Sequence, residues 1–438
     1  MTENNRILAT LRSDLEMLYH EAIRAADAGA ALERALVRTD HLPPNSIHVL
    51  AVGKAAEAMA TTAIQWLDRH GREPVSGLMV TPANVSAPHE RLRVVAGNHP
   101  RPGTESFAAA QAVGEFAAGV EPGDTAWLLL SGGASSLMAG PVPGVSTNDL
   151  ASLFELVGAA GLDIHTMNAV RKRFLRWGAG RLSRAIAPAR WQTFVVSDVP
   201  GDAPPSIGSG PTCPDEYTID RVVAILDRSG LRPLLPQTIE ANIAGIVAGE
   251  IEETPKPRDP VFAGAEVAII AGNATACEAA AAAARSRGWV VTLGEPLAGE
   301  AAAAGRSIGR ALVAAARDTG QHRQCLILGG ETVVRLGPRH GRGGRCQELA
   351  LAAAHVLAGA PAGDVALLAA GTDGRDGPTD AAGAIVDPGT WRTIAAAGRD
   401  PDADLIGHAS YDALQVAGAL FRPGPTGTNV MDLVMGLR

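Results

Sequence analysis

Residues 126–146, Ala-Trp-Leu-Leu-Leu-Ser-Gly-Gly-Ala-Ser-Ser-Leu-Met-Ala-Gly-Pro-Val-Pro-Gly-Val-Ser, limit the possible folds more than any other stretch. The run 126–130 is short and apolar throughout, the pattern of a strand covered on both faces of a parallel sheet. It stops at Ser131-Gly132-Gly133. Two adjacent glycines free the backbone for positive φ and leave no side chain in the way of a ligand. Ser135 and Ser136 follow with hydroxyls suited to cap a helix start. A glycine-rich turn between a strand and a helix is a place where amide N–H groups converge on anionic oxygens. Read alone, it is equally an ordinary strand-to-helix turn.

The same alternation recurs along the chain. A helical pattern covers 8–40. The strand 47–52 runs into Gly53-Lys54 and a helix over 55–69. Strands follow at 77–81 and 92–96, and Thr104 is expected to cap a helix reaching about 118. Asp163 opens a long basic helix through Arg171, Lys172 and Arg173 to residue 185. The strand 193–197 ends in Asp198-Val199-Pro200-Gly201-Asp202. Strands alternating with helices imply an α/β fold with a largely parallel, Rossmann-like doubly wound sheet.

A chain of 438 residues is too long for one ordinary core, so two domains are expected. Residues 203–263 are rich in Pro and Gly, with helical stretches at 218–229 and 236–249. The three prolines of 252–260 suggest the linker. The expected domains are therefore 1–255, the larger, and 256–438, a smaller α/β domain. In the second, strands are expected at 266–271, 288–293 and 365–370, with helices over 274–287, 299–318 and 346–357. Segments 325–328 and 332–336 flank Gly329-Gly330-Glu331 and read as a hairpin. The tail 424–429 is open between the two domains.

The formal net charge is −8, which excludes a global positive field drawing the chain to nucleic acid or anionic membrane. The four cysteines show no paired spacing and read as free thiols of a reducing compartment. No signal peptide or membrane-spanning run is visible, so a cytoplasmic location is expected.

Five strand ends carry polar clusters: Gly53-Lys54, Ser131-Gly132-Gly133, Ser197-Asp198, Gly329-Gly330-Glu331 and Thr372-Asp373. Ligands of open α/β sheets collect beyond the carboxyl ends of strands. Lys54 is the sharpest of these. A cation at a helix start opposes the helix dipole and is tolerable if an anion sits beside it. The stretch is not a Walker A loop, since His48 stands where Gly is needed and Ala55 where Ser or Thr would hold Mg²⁺. Asp198, Asp202, Asp373 and Asp376 are candidate Mg²⁺ ligands or general bases, of which at most two are needed as ligands. Arg339, Arg342 and Arg345 share a glycine-rich loop suited to clamp an anion. His89, His99 and His355 have no partner pattern and read as structural. There is no HExxH, no GxSxG and no GxGxxG after a strand.

Together these motifs resemble the class II glycerate 2-kinases, whose C-terminal part carries the MOFRL domain and whose members have often been labelled hydroxypyruvate reductases. The resembling stretches include Val52-Gly53-Lys54-Ala55, Gly97-Asn98-His99-Pro100, residues 130–137, Ser197-Asp198-Val199-Pro200-Gly201-Asp202, Gly329-Gly330-Glu331-Thr332, Gly343-Gly344-Arg345 and residues 371–380. They span almost the whole chain in order. Cys346 departs from the pattern, which usually has Asn there. The resemblance implies ATP- and Mg²⁺-dependent phosphorylation of D-glycerate to 2-phosphoglycerate in a cleft between two domains, with Lys54 and Arg345 catalytic. On the residues' own chemistry, Asp198 is the expected base or metal ligand, with Asp376 as a second ligand. Gly53, Ser131, Gly132, Gly133, Ser135, Ser136, Gly330 and Glu331 are expected at the nucleotide phosphates. Arg171, Arg342 and Asp373 are expected at the glycerate. The partners are small molecules, and the oligomeric state is open, a homo-oligomer included. Two rivals stand: a nicotinamide-dependent hydroxypyruvate reductase, opposed by the missing dinucleotide fingerprint, and a non-catalytic sugar-phosphate-binding regulator.

Overall fold

The computed structural model describes residues 3–38, 45–83, 85–317, 322–360 and 365–438. The chain forms two compact units, residues 28–270 and residues 1–27 with 271–438.

The first unit holds a six-stranded sheet of order β3-β2-β1-β4-β5-β6. Its strands are β1 Ile47–Val52, β2 Ser76–Thr81, β3 Leu92–Ala96, β4 Thr125–Leu130, β5 Arg190–Val196 and β6 Ala265–Ala271. β1 pairs parallel with β2 and β4, β2 with β3, and β4 with β5. Every position of β1 and β4 is buried, which is why both read as continuous apolar runs. The chain winds from β1 out to β3, returns to lay β4 beside β1, then winds the other way. The connections on the two sides therefore diverge between β1 and β4, the topological switch point of a doubly wound sheet.

Several expectations are corrected in this unit. The helical stretch 8–40 is two helices, Glu3–Ala25, which belongs to the second unit, and Ala28–Arg38, and its last two positions lie outside the described residues. Thr104 is the first residue inside the helix Thr104–Ala118. The cap comes from Asn98, whose Oδ1 accepts the amides of Glu105 (3.0 Å) and Ser106 (3.3 Å). Asp163 does cap a helix, accepting the amides of His165 and Thr166. That helix stops at Arg171, however, and a 3₁₀ turn, Lys172–Phe174, follows. The helix resumes only as Arg181–Ile186, after Gly180 at φ +80°.

The reason for the break is electrostatic. Lys172 and Arg173 are both buried, and both bind the fully buried Asp215, at 2.9 and 3.0 Å. Consecutive residues of a regular helix point in different directions, so an unbroken helix could not deliver both cations to one carboxylate. Arg173 also pairs with Glu253 (3.0 Å), and Thr254 donates to Asp215 (2.9 Å). The proline-rich segment 252–260 is thereby held inside this unit, and the domain border expected at 255/256 falls within it; the division lies at 270/271.

The second unit has a mixed sheet of order β11-β10-β9-β12-β8-β7. Its strands are β7 Val290–Leu293, β8 Gln324–Gly330, β9 Ala366–Gly371, β10 Gly383–Val386, β11 Leu420–Phe421 and β12 Asp432–Leu437. β7 and β8 are parallel, and β12 lies antiparallel between β8 and β9. The hairpin expected around Gly329-Gly330-Glu331 does not form. Both sides of β8 are taken by β7 and β12, and Val333 makes only an isolated bridge to Glu300. The C-terminal tail completes this sheet at its centre. Helix Ala301–Arg317 agrees with the expected 299–318, whose last position lies outside the described residues. It shares a core with helix Arg345–Leu357 through Leu312, Leu349, Ala353 and Leu357.

The helix Arg345–Leu357 starts on a buried cap. The Asp376 carboxylate accepts the amides of Cys346 (3.1 Å) and Gln347 (2.8 Å). Burial nevertheless pushes its pKa up to about 7. The folded state then holds this proton more tightly than the unfolded chain. The resulting stability is complete below about pH 4 and is lost as pH rises toward 7. Urea midpoints across this range should show wild type losing stability relative to Asp376→Asn; a constant difference would contradict the shift. In the first unit, Asp215→Ala should cost about 3–5 kcal/mol in urea unfolding, because it strands two buried cations. A loss below about 1 kcal/mol would show that the cluster does not need its carboxylate.

Candidate active site

In the first unit the polar strand ends gather at the switch point. Val52 and Leu130 are paired in register, so Gly53 and Ser131 leave the sheet side by side. Gly53 has φ +132°, and a Cβ there would fall 2.1 Å from Ser131 Oγ, so no other residue fits without moving that serine. The two turns are laced together. The Lys54 amide donates to Gly132 O (2.9 Å) and the Ala55 amide to Ser131 Oγ (3.0 Å). The backbone of Lys54 is thus fixed while its side chain is exposed, with no carboxylate ion pair among the described residues.

The Ser131-Gly132-Gly133 turn is flanked on both sides. A Cβ on Gly132 would lie 2.1 Å from Asp198 Oδ2, so the carboxylate beyond β5 leans on this glycine. A Cβ on Gly133, which has φ +87°, would lie 2.8 Å from His99 Cδ2. The amides of Gly132, Gly133, Ala134 and Ser135 find no acceptor among the described residues, whereas those of Ser136 and Leu137 bond to Gly133 O. Four free N–H groups beside an exposed lysine form an anion cradle. Ser135 and Ser136 do not cap the helix. They lie inside the single turn Ala134–Leu137, Ser135 sharing a hydrogen bond with Ser209 (2.8 Å) and Ser136 donating to Gly133 O (3.1 Å).

Burial raises the pKa of Asp198, and the Lys54 charge offsets part of this. Asp198 is therefore a stronger proton acceptor than an ordinary carboxylate. His99 is pushed down, first by burial and then by Lys54, and so stays neutral near pH 7. The sequence reading made His99 structural; its contact with Gly133 places it at the cradle instead. The signal was present in the Gly97-Asn98-His99-Pro100 motif. His355, stacked on Trp391, and His89, accepting the Arg91 amide, are structural as expected.

In the second unit the ends of β8 and β9 flank the start of β12, so Asp432 is paired in register with both Gly330 and Gly371. Arg345 donates Nε and Nη2 to the two oxygens of Asp432, at 2.6 and 2.9 Å. Its Nη1 lies 2.7 Å from Glu331 Oε1. Burial opposes the guanidinium charge, but the bonds and fields of these carboxylates outweigh it and keep Arg345 charged. Cys346, where the family pattern has Asn, is buried beneath, and its thiol is pushed well up by burial and by Asp432. A cavity of about 350 Å³ opens beside the pair, lined by Glu331, Val333, Leu336, Gly344, Arg345 and His408. Asp432 was missed in the sequence. Its only signal is a lone acid at the head of an apolar strand.

Several expected site residues are engaged elsewhere. Asp376, expected as a second metal ligand, accepts helix amides on both oxygens. Arg171 donates to Phe154 O (2.8 Å) and lies over the Phe154 ring. Arg342 pairs with Asp412 (2.9 Å) and covers the Tyr411 ring. Asp373 accepts the Arg375 amide (2.9 Å) in a local turn. Among the described residues no three His, Cys, Asp or Glu side chains form a metal cluster. A Mg²⁺ ion needs fewer, since it binds through one or two carboxylates plus substrate phosphates, and Asp198 fits that requirement.

Comparison with known proteins finds relatives along the whole chain. Residues 14–244 match a domain of unknown function, DUF4147, and residues 324–432 match the MOFRL family. A D-glycerate 2-kinase of Thermotoga maritima is 36% identical over 430 residues, covering 97% of this chain and 98% of the relative. A glycerate kinase of Homo sapiens is 30% identical over 493 residues, covering 96% and 92%. A relative from Agrobacterium vitis, 36% identical over 434 residues and covering 96% and 93%, carries a provisional hydroxypyruvate reductase name. The crystal structure of a glycerate kinase from Thermotoga maritima superposes with a TM-score of 0.86 at 34% identity, covering 98% of this chain and 99% of that one. The chain therefore belongs to the class II glycerate 2-kinase family, the glycerate kinases that carry a MOFRL domain.

Proposed function

We propose that this protein transfers the γ-phosphoryl group of ATP to the C2 hydroxyl of D-glycerate, giving 2-phosphoglycerate and ADP. Phosphoryl transfer needs positioning and charge neutralisation more than covalent chemistry. The observation that carries the reading is the switch-point turn, where four amides without an acceptor among the described residues stand beside the exposed Lys54. Those amides would hold phosphate oxygens, and Lys54 would screen the group in transfer. Arg345 is the second cation that this reading assigns to catalysis. Asp198 either accepts the C2 hydroxyl proton or holds Mg²⁺, and its raised pKa favours the first. A Mg²⁺ held there would neutralise negative charge on the phosphates.

The reductase reading has only a relative's provisional name in its support and lacks the glycine fingerprint of a dinucleotide site. The formal charge of −8 and the four buried free thiols fit a reducing, cytoplasmic setting. No helix of the described residues is long and apolar enough to cross a membrane.

Incubation with ATP, Mg²⁺ and D-glycerate, followed by ³¹P and ¹³C NMR, should show a phosphoryl group on C2. Rapid NAD(P)H oxidation with hydroxypyruvate, without phosphoryl transfer, would favour the reductase; ATP turnover indifferent to glycerate would favour neither enzyme. Lys54→Ala and Arg345→Ala should each lower kcat by ~10³, the scale of removing a cation from a phosphoryl-transfer site. Near-normal turnover in either variant would remove that residue from the mechanism.

A further inference from the structure

We infer that Ser76, His48 and Asp124 form a separate hydrolytic site at the amino edge of the first sheet, which cleaves short-chain carboxylic esters. Ser76 is the nucleophile, His48 its base, and Asp124 the residue that positions the base. The inference is independent of the kinase reading. β1 is six residues long, so at ~3.3 Å per residue this edge lies roughly 20 Å from the switch-point turn.

Sheet register brings the three side chains together. His48 is paired with Ser76 of β2, and Asp124 immediately precedes β4, on the other side of β1. His48 Nδ1 lies 2.8 Å from Ser76 Oγ, and its Nε2 lies 2.9 Å from Asp124 Oδ2. A nucleophile within hydrogen-bond reach of a base, with the base held by a third group, is the arrangement that activates a serine. The direction of these bonds follows from charge. Burial opposes ionisation of Asp124, but the bonds from His48 and from the Glu121 amide outweigh it and hold the carboxyl below its usual range. An ionised carboxylate only accepts, so His48 carries its hydrogen on Nε2. Nδ1 is left as an acceptor, and the Ser76 hydroxyl donates to it. The imidazole is locked in this pose, being 2% exposed and packed edge-on to the Phe116 ring.

The nucleophile opens onto a cavity. Residues two apart on a strand share a face, and Leu78 is paired with Arg93 of β3. Ser76, Leu78 and Arg93 therefore line one wall of a cavity of about 250 Å³, closed by Ala112, Glu115 and Phe116 of the helix Thr104–Ala118. Pockets for drug-sized ligands start near ~300 Å³. A smaller, largely apolar space selects a short acyl chain. Arg93 donates Nη1 to Glu115 (2.7 Å), and its remaining N–H groups are the positive charge on this wall available to an ester carbonyl oxygen.

In the reaction, Ser76 Oγ bonds to the acyl carbon and its proton passes to His48 Nδ1. The imidazolium, its Nε2–H still on Asp124, returns that proton to the alkoxide as the ester C–O bond breaks. Water then attacks the acyl-serine, giving one proton to His48 Nδ1 and its hydroxyl to the acyl carbon. The proton returns to Ser76 Oγ as the acid leaves. Ester and water become acid and alcohol, with no change of oxidation state.

The test is labelling of the full chain with diisopropyl fluorophosphate, read by peptide mass spectrometry, beside hydrolysis of p-nitrophenyl acetate. The label should fall on Ser76. Ser76→Ala should abolish it and lower hydrolysis at least ~10²-fold, the lower range of base-assisted catalysis. His48→Gln and Asp124→Asn should each lower hydrolysis on the same scale. A wild-type chain not labelled at Ser76, or hydrolysis undiminished in Ser76→Ala, would overturn the inference and leave the three side chains as a packing network. The labelled protein should keep the wild-type rate of ATP-dependent glycerate phosphorylation, and a fall in that rate would overturn the separation of the two sites.

Discussion

The in-register departure of Gly53 and Ser131 from β1 and β4 is the constraint on which the candidate site depends. Two strands distant in the chain end at the same level, and their turns are tied by the Lys54 amide on Gly132 O and the Ala55 amide on Ser131 Oγ. A side chain at position 53 would break that lacing, and one at 132 would collide with Asp198. The glycines therefore serve two ends. They let the turns approach each other, and they leave amides open to a ligand. A doubly wound sheet supplies one such place, where its connections diverge.

The second unit solves a related problem with a different device. Its sheet is mixed, so the start of β12 lies level with the ends of β8 and β9. That geometry puts a buried acid, Asp432, under the first residue of the helix Arg345–Leu357, while Asp376 holds the amides of the same helix start. Burying two acids at one helix start is expensive unless both are bonded. Here one is bonded by a guanidinium and the other by main-chain N–H groups. Arg345 is oriented by its surroundings before any ligand arrives.

The polar strand ends were legible because each is local. An apolar run that breaks into Gly, Ser or Asp announces a buried strand and a free turn within a few residues. Lys54, the Ser131 turn and Asp198 were found in that way, and the sheet order then brought them together. What stayed hidden was set by distant pairing. Asp432 gains its meaning only once β12 is seen between β8 and β9. Arg171 is engaged by Phe154, and the demand of Asp215 for two cations ends the helix just after it. The same cluster anchors the proline-rich segment that looked like a linker. Asp376 sat in a motif rich in acids and glycines, and nothing local distinguishes a helix cap from a metal ligand.

The central claim is that the turn between β4 and the following helix binds phosphate through its own amides. Selective ¹⁵N-glycine labelling with titration of ADP would read this directly by TROSY NMR. The account predicts that the Gly132 and Gly133 resonances shift together and saturate while glycines remote from the switch point stay in place. Resonances of Gly132 and Gly133 that do not move at saturating ADP would contradict it.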